Sequence, residues 1–429
     1  MDKEIVLILQ EKTGWDNIAK YLGKDFFPLD TSEEEIVVDA KDTDETESEG
    51  RIYIKLYSGM LVNGVSRVKI AYSEGEMIVA GQAVAIKEIV LTRMSGSYGD
   101  FLRQAANLAG KYKCALESRN HEQRANDAIK GVEFGRFHVK EFAGRTVEEA
   151  LFELAWWHLC GISQAAAEFS LHPGERLPVR RLRVEIRKLR SVLAMLEKIF
   201  TPEAAKWREK LRTFTVKLAR LRELDVALSN WRGNALRRKK YSKQGDRLSE
   251  FLCKERTAEL AKTAPAFELT RFTPLLLSFM AWVSGMPLRE EREEILLNKA
   301  ANKRLARWYR RMQSIVRRYP DFSDDGAAHA VRIKAKSMRY VMQSMSGKAY
   351  GDDNKVMRSL KRFLDALGIL HDNHVNEEIA KSTLKKGGNP ELIYQAGVFT
   401  GSEREQQMRV RKMLPALWDK FADDWKNWF

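Results

Sequence analysis

The 429-residue chain carries 74 Lys and Arg against 59 Asp and Glu, a formal net charge of +15, and 44% of it is apolar. That apolar fraction supports folded cores and excludes a wholly disordered chain, and the length fits two or three domains. Three cysteines, Cys114, Cys160 and Cys253, are too few and too scattered for a disulfide framework or a zinc array.

The odd cysteine count fits a reducing, cytoplasmic compartment. The short apolar run Ile5 to Leu9 follows an acidic start and is no secretory signal. The most apolar stretch, Pro274 to Leu288, falls short of the roughly 20 residues of a membrane span and reads as a core helix.

The charge divides the chain. Residues 1–130 hold 17 Lys and Arg against 22 Asp and Glu, and the remainder holds 57 against 37. Two units with different partners follow, and the basic one points to a polyanion. In the acidic part, runs rich in Ile, Val and Tyr at Ile5–Leu9, Glu35–Val38, Arg51–Leu56, Arg67–Tyr72, Glu76–Gly81 and Ala85–Thr92 predict strands separated by Gly and Ser turns. Lys41 to Gly50 reads as a solvated loop. Phe101, Leu102, Ala105, Leu108 and Ala109 share one face of a helix predicted over Tyr98 to Tyr112. Gly131 to Gly144 reads as a linker or short hairpin, and from Thr146 onward the pattern is helical, opened by a Thr146/Glu149 capping box.

The helical part is internally duplicated. LPVRRLRVEIRKLRSVL at 177–193 returns as AHAVRIKAKSMRYVMQS at 328–344, so Arg183, Arg187 and Arg190 correspond to Arg332, Lys336 and Arg339. A second motif ends in Asp225 and returns with Asp372. Repeats that keep their separation predict two equivalent halves, about 145–285 and 290–429. In both copies each basic residue follows an apolar residue of a helical stripe by one position: Leu182, Ile186, Leu189, Leu193, and then Val331, Ala335, Met338, Met342. One residue is about 100° around a helix, so the basic row borders the core-facing row, with charges about 5 Å apart. A solvated face tolerates either sign anywhere, whereas here the same positions are basic twice.

These motifs resemble the CHAD family. Its first pattern is matched by Arg183-Val184, Arg187-Lys188-Leu189-Arg190 and Arg222-Glu223-Leu224-Asp225-Val226. Its second is matched by His329, Arg332-Ile333, Lys336, Arg339-Tyr340, Leu367-Gly368 and Asp372. The resemblance spans about 145–429. It implies an all-α pair of four-helix bundles with an internal twofold repeat around a basic channel that binds inorganic polyphosphate. The implied binding residues are Arg180, Arg183, Arg187, Lys188, Arg190, His329, Arg332, Lys336, Arg339 and Tyr340. Asp225 and Asp372 could serve as catalytic acids, but charge pairing favours each of them holding an Arg of the row. The family's first histidine falls on Arg180, a permanent cation.

Residues 1–130 resemble a diverged CYTH domain, an antiparallel β-tunnel that hydrolyses triphosphate with a metal. AIKEIVLTRMSGSYGDFLRQAANLA (85–109) and ESRNHEQR (117–124) carry the likeness. The tunnel's carboxylate motifs would fall on Glu4, Val6 and Ile8, and on Glu88, Val90 and Thr92. Valine cannot hold a metal, so no catalytic residue, metal or cofactor is assigned.

The fold class expected is therefore α+β and multidomain. The partner expected is inorganic polyphosphate, in the cytoplasm, with polyphosphate granules a candidate location; no membrane is implied and the oligomeric state stays open. Two alternatives remain, a metal-dependent triphosphatase and a nucleic-acid binder. The second shares the electrostatics but lacks a recognition motif or interleaved aromatics. The basic cluster Leu236 to Lys243 reads either as a localisation or nucleic-acid patch or as a solvated helix end, and most tryptophans read as core or bundle ends. His371 and His374 flank Asp372 closely enough to suggest a metal site, but the motif needs Asp372 alone, so a helix-end or rim role is assigned to both imidazoles.

Overall fold

The structure, a computed structural model, describes residues 4–10, 13–41, 47–129, 142, 144–241, 245–289, 295–345, 354–385 and 389–428. The acidic region runs β1 (Glu4–Leu9), α1 (Trp15–Leu22), β2 (Phe26–Lys41), β3 (Glu47–Asn63), β4 (Ser66–Val79), β5 (Gln82–Ser95), α2 (Tyr98–Lys111), β6 (Cys114–Glu117) and α3 (His121–Ile129). The strands form one antiparallel sheet in the order β2-β3-β4-β5-β1-β6.

Alternation explains its two faces. Ile5, Leu7, Ile70, Ile89 and Leu91 are buried on one. On the other, Ile52, Ile54, Met77, Val79 and Ile86 pack against Ala125 of α3. Helix α2 buries the five apolar residues that its spacing singles out, and Ser97 caps it by accepting from Asp100 N–H.

Two predicted strands, Arg67–Tyr72 and Glu76–Gly81, are a single strand, β4. Gly75 reads as a turn signal in the sequence, but it sits inside the ladder because its α-carbon lies against β3. A β-carbon there would come 1.9 Å from the Tyr53 carbonyl oxygen. The true reversal comes at Ala80 and Gly81, both with positive φ, as a two-residue hairpin requires. Of the loop expected at Lys41–Gly50, Lys41 ends β2 and Glu47–Gly50 open β3, while 42–46 lie outside the described residues. So does the expected linker, apart from Phe142 and Gly144.

The helical region runs α4 (Val147–Leu171), α5 (Leu177–Met195), α6 (Glu203–Lys217), α7 (Ala219–Gly233), α8 (Ala235–Lys240), α9 (Arg247–Thr263), α10 (Leu269–Ser284), α11 (Leu297–Arg318), α12 (Asp325–Met345), α13 (Lys355–Lys385) and α14 (Pro390–Lys426). The apolar stretch at Pro274 lies in α10, which buries Leu276, Leu277, Phe279, Met280 and Val283. Among the described residues no helix is long and apolar enough to cross a membrane.

Two compact units emerge. The first takes the described residues within Met1–His138, Glu148–Glu185 and Ala266–Arg289, so it joins α4, the start of α5 and α10 to the sheet. Edge strand β6 shows why: the Thr273 hydroxyl of α10 donates to Cys114 O (2.6 Å), and Leu116 N–H donates to Ser163 Oγ of α4 (2.8 Å). Helices thereby satisfy backbone groups that an open sheet edge would expose.

The second unit takes the described residues within Val139–Val147, Ile186–Pro265 and Glu290–Phe429. One of its cores joins α7, α9, α13 and α14 around Leu224, Leu228, Trp231, Leu252, Ile379 and Phe399. Another stacks Tyr309 of α11 on Trp418 and Trp425 of α14.

Gly75→Ala should therefore force the β3–β4 ladder apart and cost about 2 kcal/mol or more, whereas Gly14→Ala, with open space at its β-carbon, should stay within about 0.5 kcal/mol. Urea denaturation of both variants checks this, and similar midpoints would show that the ladder tolerates the methyl group.

Candidate functional site

The second unit brings the two duplicated helices to bear on one cluster. Both apolar stripes are buried as their phase requires: Leu182, Ile186, Leu189 and Leu193 on α5, and Val331, Ala335, Met338 and Met342 on α12. The neighbouring basic positions are consequently half-buried. Arg187, Lys188 and Arg190 lie so on α5, and Arg332, Lys336, Arg339 and Tyr340 on α12, with His329 exposed. Arg180 is exposed and Arg183 half-buried on the part of α5 that groups with the first unit, where Arg181 pairs with Glu168 at 3.0 Å.

His371 of α13 sits at the centre. Its ring lies 5.2 Å from that of His329. Burial, then the charges of Arg332, His329, Lys336 and Arg187, push its pKa down to about 3. The cations of both copies therefore act on one imidazole. Arg332 is itself pulled down by burial and by Arg187, against the opposing pull of Asp372. Its Nη2 stands 3.9 Å from Asp372 Oδ1. Burial keeps the Asp372 carboxyl above the usual range even though Arg332, Lys336 and Arg222 oppose this. Arg190 is pushed down to about 10 by burial and by Arg187, Arg212 and Arg208. Its Nη1 donates to Thr215 Oγ1 at 3.3 Å. The Nε–H groups of Arg190 and Arg332 are buried and have no acceptor among the described residues. Half-buried guanidiniums with spare donors and raised mutual repulsion are suited to an anion with several oxygens.

Asp225 forms an ion pair with Arg256 of α9 at 2.6 Å, both side chains buried. It ties α7 to α9. Arg256 carried no sequence signal because it lies outside both repeats. Arg208 and Arg212 of α6 were missed for the same reason, whereas Arg222 opens a repeated motif and His371 adjoins one. Among the described residues no group of three or more His, Cys, Asp or Glu is placed to hold a metal. The His374 side chain lies outside the described residues.

In the first unit the positions that carry the second resemblance meet in register: Glu4 faces Thr92, Val6 faces Val90 and Ile8 faces Glu88. Glu88 is buried and takes Arg124 at 2.8 Å and His121 at 3.2 Å. Burial would raise its pKa, but these two partners prevail and hold it below the usual carboxylate range. Glu117 accepts from Arg119, from the backbone N–H groups of Ser118 and Arg119, and from Gln164. Carboxylates already neutralised by guanidiniums, with valines between them, do not fit a metal-binding tunnel.

Comparison with known proteins agrees with the helical pattern. The model of the CHAD domain matches residues 165–381, just over half of the chain. The chain belongs to the CHAD family. The crystal structure of the CHAD domain from the plant Ricinus communis superposes with a TM-score of 0.54 at 18% identity, covering 67% of this chain and 97% of that one. PptA from Streptomyces chartreusis gives 0.47 at 16% identity, covering 66% and 99%. No curated protein matches the chain. The Ricinus structure supports the CHAD fold of the helical region. The matched segment contains α5, α7 and α12, together with α13 as far as residue 381, and so carries both basic rows.

The depressed His371 pKa has a consequence for stability. Between the ordinary value of 6.5 and about 3, the unfolded chain takes up a proton at this position that the folded chain refuses. Stability must then fall as pH drops through that window, by at most about 1.4 kcal/mol per pH unit for one proton. Denaturant midpoints measured across the window should show a shallower acid-side loss for His371→Asn; an unchanged slope would mean that the imidazole titrates normally.

Proposed function

We propose that this CHAD protein binds long-chain inorganic polyphosphate through the basic rows of α5 and α12. The observation that carries the reading is the convergence of Arg187 from the first copy with His329, Arg332 and Lys336 from the second around His371. Lys188, Arg190, Arg339 and Tyr340 extend the proposed surface within the second unit. Cations spaced about one helical turn apart follow a linear polyanion, and their helices are already ordered by buried stripes, so little ordering cost falls on binding. Asp372 positions Arg332 and is no catalytic group in this reading. Residues 145–429 form the proposed binding domain, and residues 1–130 a CYTH-like domain without hydrolase activity.

Arg187→Glu and Lys336→Glu should each weaken polyphosphate binding by about tenfold or more. Lys239→Glu and Lys240→Glu, on exposed α8, should change it by no more than about twofold. Titration of all four variants checks this. Equal losses would point to diffuse charge attraction, and tighter binding of duplex DNA than of polyphosphate at physiological salt would favour the nucleic-acid reading.

Incubation with tripolyphosphate and Mg²⁺ or Mn²⁺ should release no phosphate at an enzymatic rate. Turnover of about 1 per second or faster, abolished by Glu88→Ala, would overturn that expectation.

A further inference from the structure

Helix α11 has eight Lys and Arg and no Asp or Glu in 22 residues. It buries Leu297, Ala301, Leu305, Trp308, Met312 and Val316, so its outward face is fixed. Lys299, Lys303, Arg310, Arg311, Arg317 and Arg318 are exposed there. They extend over about 28 Å at the α-helical rise. A solvated helix face ordinarily mixes signs, because like charges at three- and four-residue spacing repel. A shallow recess of about 510 Å³ opens on this face between Arg310, Gln313, Ser314, Arg317 and Arg318.

The face is tied to the rows by an ion-pair junction. Glu197, just beyond the end of α5, accepts from Arg208 of α6 at 3.2 Å and from Arg304 of α11. Arg304 also donates to the Ala194 carbonyl in the last turn of α5. Arg208 acts on Arg190 of the first row, and Arg208, Arg304 and Arg311 all act on Lys334 of α12. A succession of close cations therefore leads from Arg187 through Arg190, Arg208 and Lys334 to Arg311. The acids along it are Glu197 at the junction, Glu209 beside Arg190, and Asp423 of α14 near Tyr309.

We propose that the polyanion track continues past the two rows onto α6 and the outward face of α11, so that long polyphosphate chains engage a second segment which short chains never reach. The inference rests on the polyphosphate reading above and adds to it a structural basis for chain-length preference. The ligand remains the linear phosphoanhydride polymer, and the second segment reads its length and charge alone, since one exposed helix face offers no enclosing pocket.

The triple variant Arg310→Ser, Arg317→Ser, Arg318→Ser removes exposed charges only. With polyphosphate of graded lengths, its affinity for the longest chains should fall about tenfold or more, and its salt slope by about one per cation removed. Affinity for chains of a few phosphates should stay within about twofold of the parent. Arg187→Glu is the reference, since it should weaken short and long chains together. If Arg187→Glu weakens both and the triple variant weakens neither, the track ends at the rows and the extension is wrong. An equal loss at every length in the triple variant would also overturn it. If Arg187→Glu leaves every length unchanged, the underlying reading of the rows fails instead.

Discussion

Like charges held together by apolar packing are the constraint on which the helical region turns. Leu182, Ile186, Leu189 and Leu193 must face the core of α5, and Val331, Ala335, Met338 and Met342 that of α12. The residue after each of the first three stripe positions on either helix then has little choice of direction, and it is basic. Arg187, Arg332, Lys336, His329 and His371 come into electrostatic reach of one another as a result. Left to itself such a cluster disfavours folding, because each cation raises the cost of charging its neighbours. His371 relieves part of that cost by staying neutral. The rest remains as an uncompensated positive field at the cluster.

Carboxylates in the unit divide into two roles. Asp225 is fully buried and matched by Arg256, so it fastens α7 to α9. Asp372 is less enclosed and stands 3.9 Å from Arg332, too long for a strong charge-assisted bond. A tight pair there would neutralise Arg332. A loose one orients the guanidinium and leaves its field available. The two aspartates hold equivalent places in the repeat, yet the neighbouring helices supply a dedicated arginine to only one of them.

Much of this was legible in the sequence, and the limits have physical causes. The stripes on α5 and α12 and the buried set of α2 follow from helical periodicity alone. Gly75 misled because a glycine needed for close backbone approach in a ladder looks the same as one needed for a turn. The 149-residue offset between Arg187 and Lys336 exposed the rows, since repetition separates a constrained charge from a solvated one. Arg208 and Arg304 occur once each and are placed by Glu197, and Arg256 is placed by Asp225, contacts that no local pattern encodes. The assignment of α4 and α10 to the sheet's unit was equally hidden. It depends on Ser163 and Thr273, two hydroxyls unremarkable in sequence, reaching the backbone of β6.

The sheet unit solves the opposite electrostatic problem to the rows. Glu88 and Glu117 are buried carboxylates, and each is met by a guanidinium from the α3 segment: Arg124 for one, beside the His121 ring, and Arg119 for the other, with Asp127 balancing Arg119 in turn. Charge is closed locally, so burial is tolerated and little field is left for a ligand. In the rows, by contrast, cations outnumber the acids placed against them. The same residue types thus serve as internal structure in one unit and as an outward field in the other. What separates the two is whether a counter-charge lies within hydrogen-bond reach.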